Sequence, residues 1–114
     1  MFPIIPANSA TAASGNDEGI FGYGSPSSGV QTAVTNLVSN TGVVATDVAG
    51  VGTARSGIGA CEYGGDKGIF GFGNSQAMTN LVSNLGVVAT DTAGVGTTRA
   101  APACSYGNDK GIFG

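Results

Sequence analysis

Apolar and polar residues alternate in short runs along this chain, and no run keeps a helical period beyond a turn or two. In the run Lys67–Gly73, Phe70 and Phe72 fall on one face and Ile69 on the other, so neither face is polar. This run predicts a strand buried on both sides. Three neighbouring runs have the composition of further strands: Ser56–Tyr63, Met78–Asn84 and Gly86–Asp91. Together the four runs predict antiparallel four-stranded sheets.

Short glycine-rich segments separate these runs and have the composition of tight hairpin turns. Gly64-Gly65-Asp66 lies between the first two runs, and Gly15-Asn16-Asp17 and Gly107-Asn108-Asp109 are its counterparts elsewhere in the chain. Glycine and asparagine tolerate the positive φ that two-residue hairpin turns require. Each segment therefore predicts a hairpin between two antiparallel strands.

The whole pattern repeats along the chain. Val34–Arg55 and Met78–Arg99 are 22-residue stretches that agree at 18 positions, at a constant offset of 44. A glycine-rich motif that ends in Gly-Ile-Phe-Gly begins at Gly15, Gly64 and Gly107. A repeat period of roughly 20 to 50 residues is typical of solenoids, propellers and other arrays. The chain is therefore predicted to be an array of similar β-units.

The first residues of the chain differ in composition from the repeat. Met1–Ser14 is rich in Pro, Ala and Ser and carries a short apolar tip at Phe2, Ile4 and Ile5. We predict two parts, an extended N-terminal arm at residues 1–14 and a tandem β-repeat domain of about two 44-residue units at residues 15–114. The apolar tip predicts that the arm docks on another surface in an assembly, and a frayed tail is the alternative.

The units carry the residues of a known repeat family. Thr-Ala-Arg-Ser-Gly-Ile-Gly-Ala at residues 53–60, then a hairpin, then Lys-Gly-Ile-Phe-Gly-Phe-Gly at residues 67–73 resemble a kelch repeat. The resemblance implies β-propeller blades of four antiparallel strands. About two blades fall short of the roughly four to eight in a closed propeller. We therefore expect open sheet edges, which favour pairing with other chains.

The charge balance limits the classes of partner. The chain has four basic residues, seven acidic residues and no histidine. This balance argues against nucleic acid or an anionic membrane surface as a partner, and no apolar run approaches the roughly 20 residues that span a bilayer. The N-terminal sequence lacks the basic segment of a signal peptide. We expect a virion or extracellular location.

Two arginines and two aspartates at equivalent repeat positions are the charged residues of most interest. Arg55 and Arg99 each precede an innermost strand, and Asp47 and Asp91 end the two copies of Gly-Val-Val-Ala-Thr-Asp. A guanidinium group suits carbonyl and carboxylate acceptors. We predict that the arginines tie neighbouring repeats together through backbone carbonyls or these aspartates. A ring of arginines lining a ligand site is the alternative.

Three phenylalanines are the predicted core positions. Phe21, Phe70 and Phe113 occupy the same position of the Gly-Ile-Phe-Gly motif. They are predicted to occupy equivalent buried sites, with the preceding isoleucine of each motif on the opposite face of its strand.

Metal and cofactor chemistry finds little support in the sequence. Cys61 and Cys104 are interpreted as small hydrophobic residues in equivalent slots rather than as a disulfide. Two thiols without histidine do not make an ordinary zinc site, and the aspartates form no clustered calcium-binding pattern. We predict no metal and no cofactor.

The function expected from these features is structural rather than enzymatic. No histidine can act as a general base, so no catalytic residue is predicted. The arm sequence FPIIPANSA resembles the N-terminal segments of some phage virion proteins, which implies a tail, fibre or decoration component that assembles with copies of itself or other subunits. One alternative is a lectin-like propeller that contacts glycan through Tyr23, Tyr63 or Tyr106. The other alternative is a fragment of a longer array.

Overall fold

The computed structural model describes residues 17–114, and every regular element in this part of the chain is a β-strand. The predicted all-β class is confirmed, with three antiparallel sheets in the orders β1–β2, β3–β4–β5 and β6–β7. The arm residues Phe2, Ile4 and Ile5 lie outside the described residues. The strands are β1 (Gly19–Gly22), β2 (Thr35–Val38), β3 (Gly59–Tyr63), β4 (Lys67–Gly71), β5 (Thr79–Val82), β6 (Ala103–Tyr106) and β7 (Lys110–Phe113).

The sheets are smaller than the four strands predicted for each. The predicted fourth strand, Gly86–Asp91, forms no ladder, and this part of the chain pairs with β5 only through isolated bridges from Val88 and Thr92. The side-chain amide of Asn80 donates to the carbonyl of Ala89, so a side chain replaces a backbone donor of a continuous ladder. Each sheet therefore has two or three strands, and the described residues form no closed propeller.

The hairpin turns agree with their sequences. Gly64 and Gly65 have φ of 66° and 85°, and Gly107 and Asn108 have φ of 64° and 68°. These positive values are those of the tight turns whose twist matches paired strands. The two turns connect β3 to β4 and β6 to β7. Of the third predicted turn only Asp17 belongs to the described residues.

The strands belong to three successive units that stack along the chain. Unit 1 comprises residues 19–55, unit 2 comprises residues 59–99 and unit 3 comprises residues 103–114. A Cβ atom at Gly71 would lie 2.6 Å from Cζ of Phe113, and one at Gly22 would lie 3.0 Å from Cζ of Phe70. Glycine is needed at both positions because a phenylalanine of the following unit packs directly on it.

The hydrophobic core lies between the units rather than inside them. One cluster joins unit 1 to unit 2 through Tyr23, Ala33, Phe70, Val82 and Val88, and a smaller one places Phe72 and Ala77 beside Ala101 and Phe113. The Cα radius of gyration is 16.4 Å, against about 13 Å for a compact domain of roughly 100 residues. The protein is therefore an elongated stack whose cohesion comes from contacts between neighbouring units.

Candidate functional site

Arg55 is the centre of the contact between units 1 and 2, and its side chain is completely buried (0% exposed). Its Nε donates to the Phe72 carbonyl at 2.7 Å, and its Nη1 donates to the Thr53 carbonyl at 2.9 Å. Its Nη2 donates to Oδ1 of Asn80 at 2.7 Å. All three guanidinium nitrogens are therefore bound to acceptors of the chain itself. We call this group, together with Tyr23 and Asp91, the Arg55 junction.

A second layer of hydrogen bonds extends the junction to Asp91. The amide of Asn80 donates to Oδ1 of Asp91 at 2.8 Å. The carboxylate also accepts from the backbone N–H of Thr53 at 3.1 Å and from its hydroxyl at 2.7 Å. The hydroxyl donation of Thr53 lowers the pKa of Asp91 from its ordinary value, although partial burial opposes this shift. Asp91 thus supports Arg55 through Asn80, while Thr53 ties the same carboxylate to unit 1.

Tyr23 forms the aromatic wall of the junction. The Arg55 guanidinium carbon lies 4.7 Å from the ring centroid, within the range of a cation–π contact. The phenol hydroxyl donates to the Val51 carbonyl at 2.8 Å. Burial raises the pKa of Tyr23, and the charge of Arg55 partly offsets that rise. Because Tyr23 is only 8% exposed, it is not available as the glycan-stacking residue suggested by the sequence.

Tyr23 and its repeat equivalent Phe72 share an unusual backbone conformation. Their φ values are 66° and 62°, in a region that bulky residues rarely adopt. The turn at Phe72 ends β4 at Gly71, two residues before the predicted end at Gly73. Sequence alternation missed this feature. The only sequence signal for it is the pair of glycines that flanks each aromatic residue.

The Arg99 junction, between units 2 and 3, repeats part of this arrangement. Arg99 donates from Nη1 to the Thr97 carbonyl at 2.8 Å and from Nε to the Gly114 carbonyl at 3.2 Å. Its guanidinium carbon lies 4.5 Å from the centroid of Phe72. Arg99 remains partly exposed. Among residues 17–114, no side chain accepts a hydrogen bond from Arg99 in the way that Asn80 accepts one from Arg55.

The opposite end of the stack carries the complementary half of a junction. Asn36 donates to Oδ1 of Asp47 at 2.8 Å and to the Ala45 carbonyl at 3.1 Å, with the geometry of Asn80 and Asp91 in unit 2. Asp47 is exposed, and among residues 17–114 no arginine contacts Asn36. The Asn–Asp pair therefore forms from local sequence alone, and the arginine reaches it only where a preceding unit is stacked.

The predicted burial of all three phenylalanines is wrong for Phe21. Phe70 is 3% exposed and Phe113 is half-buried, but Phe21 is 64% exposed. Phe70 is covered by the preceding unit, where the Tyr23 ring lies 5.2 Å away, and the Phe72 ring lies 5.1 Å from Phe113. Among the described residues no other unit precedes unit 1, so no aromatic ring of a preceding unit covers Phe21. The opposite-face isoleucines also differ, since Ile20 and Ile69 are half-buried and Ile112 is 52% exposed.

Other candidate chemistry is sparse in the described part of the chain. Residues 17–114 hold no group of three His, Cys, Asp or Glu side chains placed to bind a metal ion. Cys61 and Cys104 are both free thiols, and burial raises the pKa of Cys61. Of the remaining tyrosines, Tyr63 is half-buried and Tyr106 is 52% exposed beside the Lys110 ammonium. None of these residues is joined to another in a catalytic arrangement.

A groove of about 570 Å³ lies between the first two units. Ile20 and Leu37 line it from unit 1, and Cys61 and Ile69 line it from unit 2. The sequence did not indicate this groove, because it arises from how two units are stacked rather than from a motif within either one.

Residues 17–114 include no helix with the length and apolar character needed to cross a bilayer. Comparison with family models, with curated proteins and with solved structures gives no match to this chain.

Proposed function

We propose that this protein is a non-enzymatic structural protein whose repeats stack into an extended array that assembles with other copies of itself or with other subunits. The observation that carries the proposal is the Arg55 junction. A completely buried arginine with each of its three nitrogens bound to an acceptor of the chain itself exposes no donor to a ligand. Its role is to hold two units together.

The same observation weighs against the alternative of arginines that line a ligand site. A ligand-binding arginine presents donors to a cavity or to solvent, whereas Arg55 presents none. Arg99 is more exposed, but its Nε and Nη1 also donate to backbone carbonyls of its own chain. The repeated charged residues are therefore best explained as parts of junctions between units.

Incomplete junctions and open strand edges support the assembly part of the proposal. In the described residues β1 pairs only with β2, and β7 pairs only with β6. One end of the stack exposes Phe21 beside the Asn36–Asp47 pair, and the other end carries the partly exposed Arg99. Unpaired strand edges are sites at which other chains add.

The finer part of the proposal comes from sequence resemblance. We propose that each unit corresponds to one kelch-like propeller blade, since the arginine before β3 and the Lys-Gly-Ile-Phe-Gly motif of β4 resemble that family. We also propose a place in a phage virion, as a tail, fibre or decoration component, because the segment FPIIPANSA resembles the N-terminal segments of such proteins.

The test is the solution mass of the intact chain, measured by light scattering over a range of concentrations, with electron microscopy of the same samples. We expect a mass above that of one chain, and particles or fibres at high concentration. A stable monomer at micromolar concentration that forms no particle would contradict the assembly proposal. If that monomer bound immobilised glycans, the lectin-like alternative would replace it.

A further inference from the structure

The first strand of unit 2 lies directly on unit 3. A Cβ atom at Gly59 in β3 would lie 3.1 Å from Cβ of Ala103 and 3.2 Å from Cδ1 of Phe113. The Ser105 hydroxyl accepts from the N–H of Glu62 at 3.1 Å and donates to the Glu62 carbonyl at 3.1 Å. The part of β6 and β7 around Ala103, Gly111 and Phe113 is therefore covered by a strand of the preceding unit.

Among residues 17–114 no counterpart of β3 lies on the equivalent surface of unit 2, and this surface forms one wall of the groove. The lining of this wall includes Ala60, Gly68 and Phe70, which match the partly buried Ala103, Gly111 and Phe113 of unit 3. The other lining residues from β3 and β4 are Cys61, Glu62, Lys67 and Ile69. A Cβ atom at Gly111 in unit 3 would collide with Sγ of Cys61, whereas one at the equivalent Gly68 would meet no atom closer than 3.6 Å. The covering strand of unit 3 thus has no counterpart over unit 2 among residues 17–114.

The other wall of the groove carries a free strand edge in the matching place. In unit 2, β4 is paired on both sides, with Cys61 of β3 opposite Ile69 and Tyr63 opposite Lys67. Among residues 17–114, β1 of unit 1 is paired only with β2. The repeat equivalents of Ile69 and Lys67 are Ile20 in β1 and Glu18 just before it, and both line the groove. The groove therefore combines a strand edge that pairs with no described residue with a surface that fits a strand like β3.

We propose that this groove is a strand-binding site and that the strand it binds is the chain's own segment Thr11–Ser14. Residues 11–18 read Thr-Ala-Ala-Ser-Gly-Asn-Asp-Glu. They match Ala-Cys-Glu-Tyr-Gly-Gly-Asp-Lys at residues 60–67 and Ala-Cys-Ser-Tyr-Gly-Asn-Asp-Lys at residues 103–110, including the hairpin turn. Small side chains suit a slot in which the facing residue is a glycine.

The match of residues 11–18 with residues 60–67 predicts which side chains of the bound strand face the groove and which face solvent. In β3, Cys61 is half-buried against unit 3, whereas Glu62 is exposed. The equivalent residues are Ala12, which then faces Gly68, and Ala13, which then faces solvent. This inference goes beyond the proposed function, because it concerns how one chain closes its own groove and requires no second chain.

The test compares two full-length variants, Ala12→Glu and Ala13→Glu, by thermal unfolding. Glutamate at position 12 places a charge in the groove, so we expect a melting temperature lower by about 5 °C or more and faster amide exchange at Ile20–Gly22. Glutamate at position 13 is the residue that β3 itself carries at the equivalent exposed position, so we expect melting unchanged from the wild type. Equal effects of the two substitutions would overturn the proposal.

Light scattering on the same variants separates this proposal from the assembly proposal. We expect Ala12→Glu and Ala13→Glu to have the same mass per particle if the strand binds within its own chain. A mass that falls only in Ala12→Glu would overturn the proposal in favour of a strand supplied by a second copy. A monomeric wild type would contradict the assembly proposal. In that case a lower melting temperature in Ala12→Glu alone would still support the strand-binding site.

Discussion

The Arg55 and Arg99 junctions are built from nearly the same sequence, but they differ in how deeply the arginine is buried and in how many hydrogen bonds it makes. Each arginine donates to the carbonyl two residues before it and lies over an aromatic ring, at 4.7 Å for Arg55 and 4.5 Å for Arg99. Only Arg55 reaches an asparagine side chain, and only Arg55 is completely buried. The difference lies in the following unit, because unit 2 supplies Asn80 and Asp91 whereas residues 103–114 supply no counterpart of either.

The position of a unit in the stack decides which of its residues are buried. Val44 and Val88 are repeat equivalents, yet Val44 is 54% exposed and Val88 is 8% exposed. The same contrast separates Phe21 from Phe70. In a stacked repeat protein, stability is approximately a sum of terms for single units and for the interfaces between neighbours. Here the interface terms account for the buried charge and for the largest buried side chains.

The largest expected effect is at the phenylalanines. Phe70→Ala should cost about 3–5 kcal/mol in the free energy of unfolding, because a buried ring leaves a cavity. Phe21→Ala should cost no more than about 0.5 kcal/mol, since the ring is mostly in solvent. Urea unfolding of both variants measures the difference. Equal costs would mean that Phe21 is covered in solution and that the contrast between the two ends of the stack is wrong.

The arginines should show the next largest effect. Arg55→Lys should cost about 2–3 kcal/mol, because a lysine cannot serve three acceptors in a plane and leaves buried carbonyls without donors. Arg99→Lys should also destabilise, but by less than about 1 kcal/mol, since solvent can replace its bonds. Thermal melting of the two variants tests this order. A larger loss for Arg99→Lys would show that the second junction is closed as tightly as the first.

The asparagines test the side-chain link between the units. Asn80→Ala should cost about 1–3 kcal/mol, because a buried guanidinium nitrogen loses its acceptor. Asn36→Ala removes the same local bonds to a carbonyl and an aspartate but leaves no buried charge unpaired, so it should cost less than about 1 kcal/mol. Chemical unfolding of both variants gives the comparison. Similar values would mean that the local bonds, rather than the bond to Arg55, account for the role of Asn80.

Acid should weaken the Arg55 junction through Asp91, and this is the smallest effect. The pKa of Asp91 is lowered in the folded protein, chiefly by the Thr53 hydroxyl. The stability that it contributes is therefore complete above the unfolded pKa of about 3.9 and is lost as the pH falls through the lower folded pKa. Because the carboxylate is largely exposed, the change should stay below about 1 kcal/mol.

The measurement is the urea midpoint between pH 6 and pH 2. Asp91→Asn should flatten this dependence below about pH 4, and Thr53→Val should flatten it less, because the backbone N–H of Thr53 still donates to the carboxylate. An unchanged acid dependence in Asp91→Asn would show that other carboxylates are responsible.

Much of the local structure could be predicted from particular residues. The Gly-Gly-Asp and Gly-Asn-Asp segments lead to tight hairpins because their residues tolerate positive φ. The repeated motifs lead to equivalent strands, and β1, β4 and β7 all contain Gly-Ile-Phe. The left-handed backbone at Tyr23 and Phe72 could not be predicted in this way. That conformation is unfavourable for an isolated aromatic residue, and here each ring is packed beneath an arginine.

The sequence by itself determined the all-β class, the hairpins and the equivalence of the units. It also determined the two equivalent side-chain pairs, Asn36 with Asp47 and Asn80 with Asp91. All of these features depend on residues close together in the chain. Only the tertiary structure decided which equivalent residues are buried. Phe21 and Phe70, or Arg55 and Arg99, differ little in local sequence but differ in the unit packed against them. Burial is a property of that contact, and an identical motif is exposed or buried according to whether a neighbour covers it.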